Sequence, residues 1–340
     1  MTGSEPIIDR EALVELSRRK PIPPFTLDES LTFYCPQENL EAFDHPAVAQ
    51  WHQFITTQYK PPLDKGSNVM LILPCTKDKP YIMSREHLAV NSHLLELGFE
   101  PLNEALVPEG LEGHLPPEYD RACVNNSPLR RGELTLHRYV ISEPLGLVPY
   151  ELLYYFRGRK SPASRYDDPG LFEHRPNTVC PWRDDYTGIP KGSQLRWGDN
   201  EKLAYVQVHN RLVQTIAAAL KRLEPRYSRI LAYVSPGLTH RSFLSSREEK
   251  KASGLRTARR IAGKLYQLEG VNDSHPGLVT VLPTKEEWED IFQAVQARLI
   301  AEAPSMTKAQ VRGYFARGGG GATPLALSES LQTLERYLIP

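Results

Sequence analysis

The segment Asn68-Val69-Met70-Leu71-Ile72-Leu73 carries an uninterrupted apolar run. A strand without polar alternation is buried on both faces, and such strands belong to parallel sheets sheathed by helices. Directly after it, Pro74-Cys75-Thr76-Lys77-Asp78-Lys79-Pro80-Tyr81-Ile82-Met83-Ser84-Arg85-Glu86-His87 gathers a thiol, two amines, a phenol, a hydroxyl and an imidazole into one crossing. Ser84 is suited to cap a helix whose apolar positions are Leu88, Leu94, Leu95 and Leu97. Residues 74 to 83 therefore fall where a strand's carboxyl end hands over to a helix, the place where open α/β sheets bind ligands. A polar connector with Cys75 as a packed thiol is the plainer reading. The density of reactive groups favours a site.

The 340 residues are enough for one large α/β domain or two smaller ones. Lys plus Arg and Asp plus Glu both number 41, so no global positive field marks a nucleic-acid binder, and any basic surface has to be local. The 29 prolines gather in loops at 21–24, 61–62, 116–117 and 144–149 and predict long, shaped connections. Cys35, Cys75, Cys123 and Cys180 are too far apart in sequence for a CxxC metal knuckle and too few for a disulfide scaffold. No metal or cofactor is therefore called for, and reduced thiols in the cytoplasm are expected. Neither a signal-peptide core nor a membrane-length apolar segment is visible, so a soluble protein is expected.

An amphipathic helix over Glu11 to Arg19, stopped by Pro21-Ile22-Pro23-Pro24, makes residues 1–30 an N-terminal arm, mobile or docked, ahead of a domain spanning 31–340. A helix is predicted from Pro46 to Tyr59, and residues 98–132 read as a Pro- and Gly-rich excursion. Leu134 to Ser142 reads as a strand entering the rigid segment Glu143 to Tyr150. Residues 157–198 are irregular, with cations and aromatics interleaved. They suit a surface loop of ordinary charge, or a contact with phosphates and bases. Glu201 to Leu223 is the clearest helix, and Arg229 to Val234 a buried strand closed by Ser235-Pro236-Gly237. In the next stretch, Val234-Ser235-Pro236-Gly237-Leu238-Thr239-His240-Arg241-Ser242, a turn is expected, with His240 lining the same cleft. The basic run Arg247 to Arg260 reads as the wet face of a helix continuing through Ile261, Leu265 and Leu268. A strand over Leu278 to Leu282, a helix over Glu286 to Ala303, a glycine link at 318–321 and a helix over Ser328 to Tyr337 complete the pattern. This alternation predicts a mainly parallel sheet covered by helices on both faces.

Cys, Lys, Tyr, Ser and His in one crossing suit addition of a nucleophile to a polarised carbon. Lys77, Lys79 and His87 are available to lower the pKa of Cys75. His87 or Tyr81 would move protons, and Ser84 or backbone amides after Cys75 would hold developing negative charge.

The pattern formed by Pro74, Cys75, Lys79, Pro80, Tyr81, Ser84 and His87 resembles, without a gap, the signature of the archaeosine synthase family. Asp44 to Pro62, Ser142 to Glu151 and Tyr166-Asp167-Asp168-Pro169 are similar to segments of that family's central domain, and the likeness extends weakly to Ser328–Leu338. The family is related to archaeal tRNA-guanine transglycosylases. It adds an amine, lysine, to the nitrile of 7-cyano-7-deazaguanine in tRNA. The resemblance implies a three-layer α/β/α sandwich similar to uracil-DNA glycosylases. It also implies an amidinotransferase-like activity in tRNA modification, with a 7-deazaguanine-containing nucleic acid and an amine as substrates. Cys75 is then the covalent nucleophile, with Lys79, Tyr81, Ser84 and His87 as charge-stabilising or proton-transfer groups. Pro74, Pro80, Glu143, Asp168 and His240 are the expected substrate contacts, Glu143 and Asp168 for the amine. No transglycosylase barrel is visible and nothing after Leu338 is left for an RNA-binding domain. The chain is therefore expected to act as the signature domain alone, with a transglycosylase or RNA-binding partner subunit. The alternatives kept are a non-catalytic nucleic-acid-binding module with a glycosylase-like base pocket, and a component of DNA 7-deazaguanine modification.

Overall fold

The computed structural model describes residues 9–104, 107–171, 178–192, 194–319 and 323–339. In chain order the helices are α1 (Arg10–Ser17), α2 (Pro36–Glu41), α3 (Pro46–Gln53), α4 (Arg85–Glu96), α5 (Asp199–Leu223), α6 (Thr239–Leu244), α7 (Arg247–Ala252), α8 (Val271–Ser274), α9 (Lys285–Glu302), α10 (Lys308–Ala316) and α11 (Ser328–Leu338). The strands are β1 (Ser67–Pro74), β2 (Glu100–Pro101), β3 (Leu129–Arg131), β4 (Leu134–Ser142), β5 (Gly146–Pro149), β6 (Tyr155–Phe156), β7 (Arg159–Lys160), β8 (Ile189–Lys191), β9 (Gln194–Arg196), β10 (Arg229–Tyr233), β11 (Ala258–Ile261), β12 (Lys264–Gln267) and β13 (Thr280–Leu282).

Seven strands make one sheet in the order β13-β10-β1-β4-β3-β2, with β5 also paired to β4. Its centre is parallel: β1 runs with β10 and β4, and β10 with β13, so that Leu71 lies opposite Leu231 on one side and Arg138 on the other. The antiparallel additions β3, β2 and β5 make the sheet mixed. Consecutive burial of Asn68 to Pro74 in β1 and of Thr135 to Ser142 in β4 means that both faces of the centre are covered, as the apolar run predicts. The order also has a switch point. From β1 the chain moves to β4 on one side, then returns past β1 to β10 on the other, opening a crevice at the strands' carboxyl ends.

Helix α5 buries Leu212, Val213, Ile216, Leu220 and Leu223 at helical spacing and lies against α2 and β5. A second, smaller core joins α9 and α10 through Ile291, Val295, Leu299, Val311 and Phe315, with Trp288 edge-on to Phe315 at 5.0 Å. Among the described residues, no helix is long and apolar enough to cross a membrane.

The arm is docked from Asp9 onward. Ser17 donates to Asp167 Oδ2 at 2.6 Å, Lys20 pairs with the same carboxylate, and the amide of Ile22 donates to Lys79 O at 2.7 Å.

Two expectations need correction. The basic segment is not one long helix. α7 ends at Gly254 (φ +71°), where Leu255 N–H reaches back to Lys250 O and Gly254 N–H to Lys251 O, and the chain then forms the β11–β12 hairpin about Ala262-Gly263. The turn expected after β10 is present at Pro236-Gly237, where Leu238 N–H donates to Ser235 O at 3.1 Å, and the chain then enters α6. The chain between Ala303 and the glycines holds α10, capped by Thr307, and the glycine link itself lies partly outside the described residues.

Candidate active site

Three neighbouring parallel strands each deliver one side chain to the crevice. Cys75 follows β1, Glu143 follows β4, and His240 sits in the first turn of α6 just beyond β10. His240 Nε2 lies 3.2 Å from Cys75 Sγ and 3.2 Å from Glu143 Oε2, and the thiol is 3.8 Å from that oxygen. Cys75 is half-buried, whereas Glu143 and His240 are 4 % and 5 % exposed. Burial opposes the charge on His240, yet Glu143 and Cys75 hold it well above the ordinary imidazole value. Burial likewise works against the Glu143 carboxylate, and His240 overcomes it, holding that group below its usual range. The pair is thus an imidazolium–carboxylate. Burial pushes the Cys75 thiol up, and His240 pulls it back toward the thiolate.

A cleft of about 460 Å³ opens over the thiol, lined among others by Cys75, Lys79, Glu86, Asp168, His240 and Thr323. Burial and the neighbouring Glu143 charge push Asp168 well above the usual carboxylate range, so it meets a ligand as a carboxylic acid. Glu86 accepts a hydrogen bond from the Thr323 hydroxyl, while its Oε1 is buried without a partner among the described residues. Burial raises Glu86 to about 7, against the pull of Thr323 and His240.

Lys79 is buried, donates to Thr76 O at 2.5 Å and sits over the rings of Tyr81 and Tyr166 at 4.7 and 4.6 Å. Those two phenols bond to each other at 2.6 Å and share Ser142. The Tyr81 hydroxyl is therefore committed within an aromatic box around the ammonium, and burial drives its pKa well above the phenol value. Proton transfer by Tyr81 is corrected accordingly.

His87 is the larger correction. Its Nε2–H donates to the Pro74 carbonyl at 2.9 Å, so Nδ1 accepts from the Tyr150 hydroxyl at 2.5 Å, and the ring stacks on Tyr150. Fully buried, with burial lowering it to about 4, His87 is a neutral strut beneath the end of β1 and does not line the cleft. The reason is helical geometry. Ser84 accepts the His87 N–H at 3.3 Å as the cap of α4, which turns the ring back under the strand. Pro74 and Pro80 do not line the cleft either. Pro74 offers its carbonyl to His87, and Pro80 accepts from Met83 N–H at 3.0 Å to form the turn before α4. Ser84 and Lys79 do line it, as do Asp168 and His240, with Glu143 behind His240.

His240 lines the cleft as expected, and the sheet order, which sets β10 beside β1, makes it the thiol's partner as well. Glu86 lies within the Pro74–His87 crossing but outside its matched positions, whereas Lys20 and Thr323 come from the arm and a distant loop that no local pattern marks. A second group, Cys35, Glu38 and Cys180, has its ligand atoms within 4.8 Å of one another, although the sequence separates the two thiols widely.

No protein-family model, curated protein or solved structure matches the chain.

Proposed function

We propose that this chain is an amidine-forming enzyme that adds a primary amine, of lysine type, to the nitrile of 7-cyano-7-deazaguanine in nucleic acid, with tRNA as the favoured acceptor. The observation that carries this reading is the convergence of Cys75 Sγ, His240 Nε2 and Glu143 Oε2 at the wall of a cleft large enough for a base. The glycosylase-like fold implied by the resemblance belongs to the same reading, because a base pocket at the carboxyl ends of parallel strands is the use such a crevice serves.

The chemistry balances without a cofactor. With Glu143 held as the carboxylate, the thiol's proton leaves toward His240 as sulfur attacks the nitrile carbon and a C–N π pair moves onto nitrogen. The imidazolium delivers its proton to that nitrogen and takes the thiol's proton in its place, leaving a thioimidate with the imidazolium–Glu143 pair restored. The amine then attacks the same carbon, the C–S bond breaks, and the proton lost by the amine returns to sulfur. Lys79, fixed in its aromatic box, adds positive potential beside the thiol.

Incubation with the nitrile base, free or within RNA, is expected to add one thioimidate to the protein by intact mass. Lysine should then release an amidine product. Cys75→Ala should lose both signals while keeping its fold, and product formation by that variant at the wild-type rate would remove the covalent role.

The same three atoms favour one other reading, since thiolate, imidazole and carboxylate within 4.8 Å are a donor set for zinc. Stoichiometric zinc in the purified protein, lost in Cys75→Ser, would carry that reading in place of the covalent one.

A further inference from the structure

Another cleft, of about 440 Å³, lies on the segment that leads into Asp167 and Asp168. It is lined by Arg157, Arg159, Lys160 and Arg165, with Asp28 as the one acidic residue among those lining it. Its origin is the β6–β7 hairpin, whose turn residues Arg157 and Gly158 both have left-handed backbone, at φ +51° and +74°. Arginine is an unusual choice at a position that disfavours any Cβ, and the turn would be better served by Asn or Gly. The guanidinium of Arg157 is nevertheless fixed there, 5.4 Å over the Phe156 ring and donating to Gln58 at 2.8 Å. Arg159 is exposed and has no ion-pair partner among the described residues. Lys160 donates to the Pro24 carbonyl and lies 5.9 Å over the Phe25 ring, with no ion-pair partner among the described residues, and Arg165 is 3.7 Å from Asp28. Four cations around one carboxylate leave the concavity strongly positive. The other basic surface differs, because the cleft bearing Arg247 is also lined by Glu248, Glu269 and Asp273.

Two chain segments join this cleft to the Cys75 cleft. Arg165 lines one, and Asp167 and Asp168 line the other. Asp168 is three positions after Arg165, at most ~11 Å of extended chain. In parallel, residues 21–28 pair with Lys79 at one end and meet Lys160 and Arg165 at the other. The span is within reach of a short oligonucleotide.

We propose that the Arg157–Arg159–Lys160–Arg165 cleft is a phosphate-binding groove that holds the backbone of the strand whose base enters the Cys75 cleft. The identity of that base rests on the function proposed above; the groove itself requires only a phosphodiester chain. Guanidinium forks and an ammonium in a concave wall suit phosphate oxygens, and the exposed Tyr155 ring beside them offers a face to a base.

The test uses the full chain and fluorescence anisotropy with short labelled single-stranded RNA and its DNA counterpart. Arg159→Glu and Lys160→Glu alter exposed side chains and leave the thiol untouched. Each is expected to weaken binding about tenfold or more and to flatten the plot of log affinity against log salt by about 0.7 for each phosphate released from the groove. Conversion of the free nitrile base should be unchanged. Preference for RNA over DNA would place the strand as RNA, and the reverse as DNA, both supporting the groove. Unchanged affinity and salt slope in the Arg159→Glu, Lys160→Glu double variant would overturn it. So would loss of binding confined to Arg260→Glu on the β11–β12 hairpin, or wild-type protein that converts the free base and binds neither strand. Charge-dependent strand binding without turnover would keep the groove and remove the amidine chemistry.

Discussion

At the scale of single residues, the thiol is governed by opposed effects of similar origin. Burial and the Glu143 carboxylate both raise Cys75, while His240 lowers it. Taking away the imidazole should therefore shift thiol reactivity upward in pH. With His240→Gln, alkylation of Cys75 by iodoacetamide should slow at neutral pH and recover only in more alkaline buffer. Turnover should fall by about 10²–10⁴, the usual contribution of a positioned acid–base group. Cys35, Cys123 and Cys180 are buried, so labelling reports chiefly on Cys75. His87→Gln is the contrast. It removes a neutral ring bonded to Pro74 and Tyr150, so it should lower stability and leave the alkylation profile where it was. An unchanged profile in His240→Gln, with a shifted one in His87→Gln, would return the role to the imidazole within the motif.

At the scale of elements, the site depends on where β1, β4 and β10 end and on how α4 begins. Ser84 is both a cleft residue and the cap of α4, and these roles separate experimentally. Ser84→Ala should cost about 1 kcal/mol of stability, read from denaturant unfolding, through the loss of the His87 N–H acceptor. Turnover per folded molecule should stay unchanged. Full stability with lost turnover would instead give the hydroxyl to the chemistry. These elements were also the ones most readable from the chain. Val69 to Leu73 and Ile230 to Val234 announce themselves through continuous apolar residues, Leu134 to Ser142 through β-branched and aromatic residues on either side of His137-Arg138, and α5 through its stripe. Those runs alone place Cys75 and Glu143 at strand ends. The side on which His87 emerges was not readable, because it depends on the turn through Pro80 and on the cap, not on sequence distance. The β11–β12 hairpin was hidden by composition: Arg259, Arg260 and Lys264 mimic a wet helix face, and only the backbone at Gly254 and at Ala262-Gly263 breaks it. His240 needed the sheet order itself, since nothing local says that β10 lies next to β1.

At the scale of the whole molecule, much of the buried titratable chemistry is kept uncharged. Burial lowers His52, and it lowers His87 and His137 to about 4 and His209 to about 3. Burial also raises Glu86, Glu151 and Asp168. Against this background the charged Glu143–His240 pair beside a thiol stands apart, and its neighbour Glu86 bears a cost that can be measured. In the unfolded chain Glu86 ionises near 4.5; in the fold it holds its proton to about 7. Between these values the native state binds a proton that the unfolded state has released, so Glu86's contribution to stability falls as pH rises through that window. Across the full window the loss is about 3 kcal/mol. Glu86→Gln removes the titration while keeping the side-chain shape. The variant should be more stable than wild type at pH 7 by up to about 3 kcal/mol, and the advantage should vanish near pH 4.5, where both folded and unfolded Glu86 approach the protonated form. Urea unfolding of both proteins at the two pH values measures the difference directly. An advantage of equal size at both, or a loss at pH 7, would mean that Glu86 is already ionised and well solvated in the fold. A gain confined to neutral pH would show that the cleft retains a destabilising acid, one whose Oε1 is buried without a partner among the described residues.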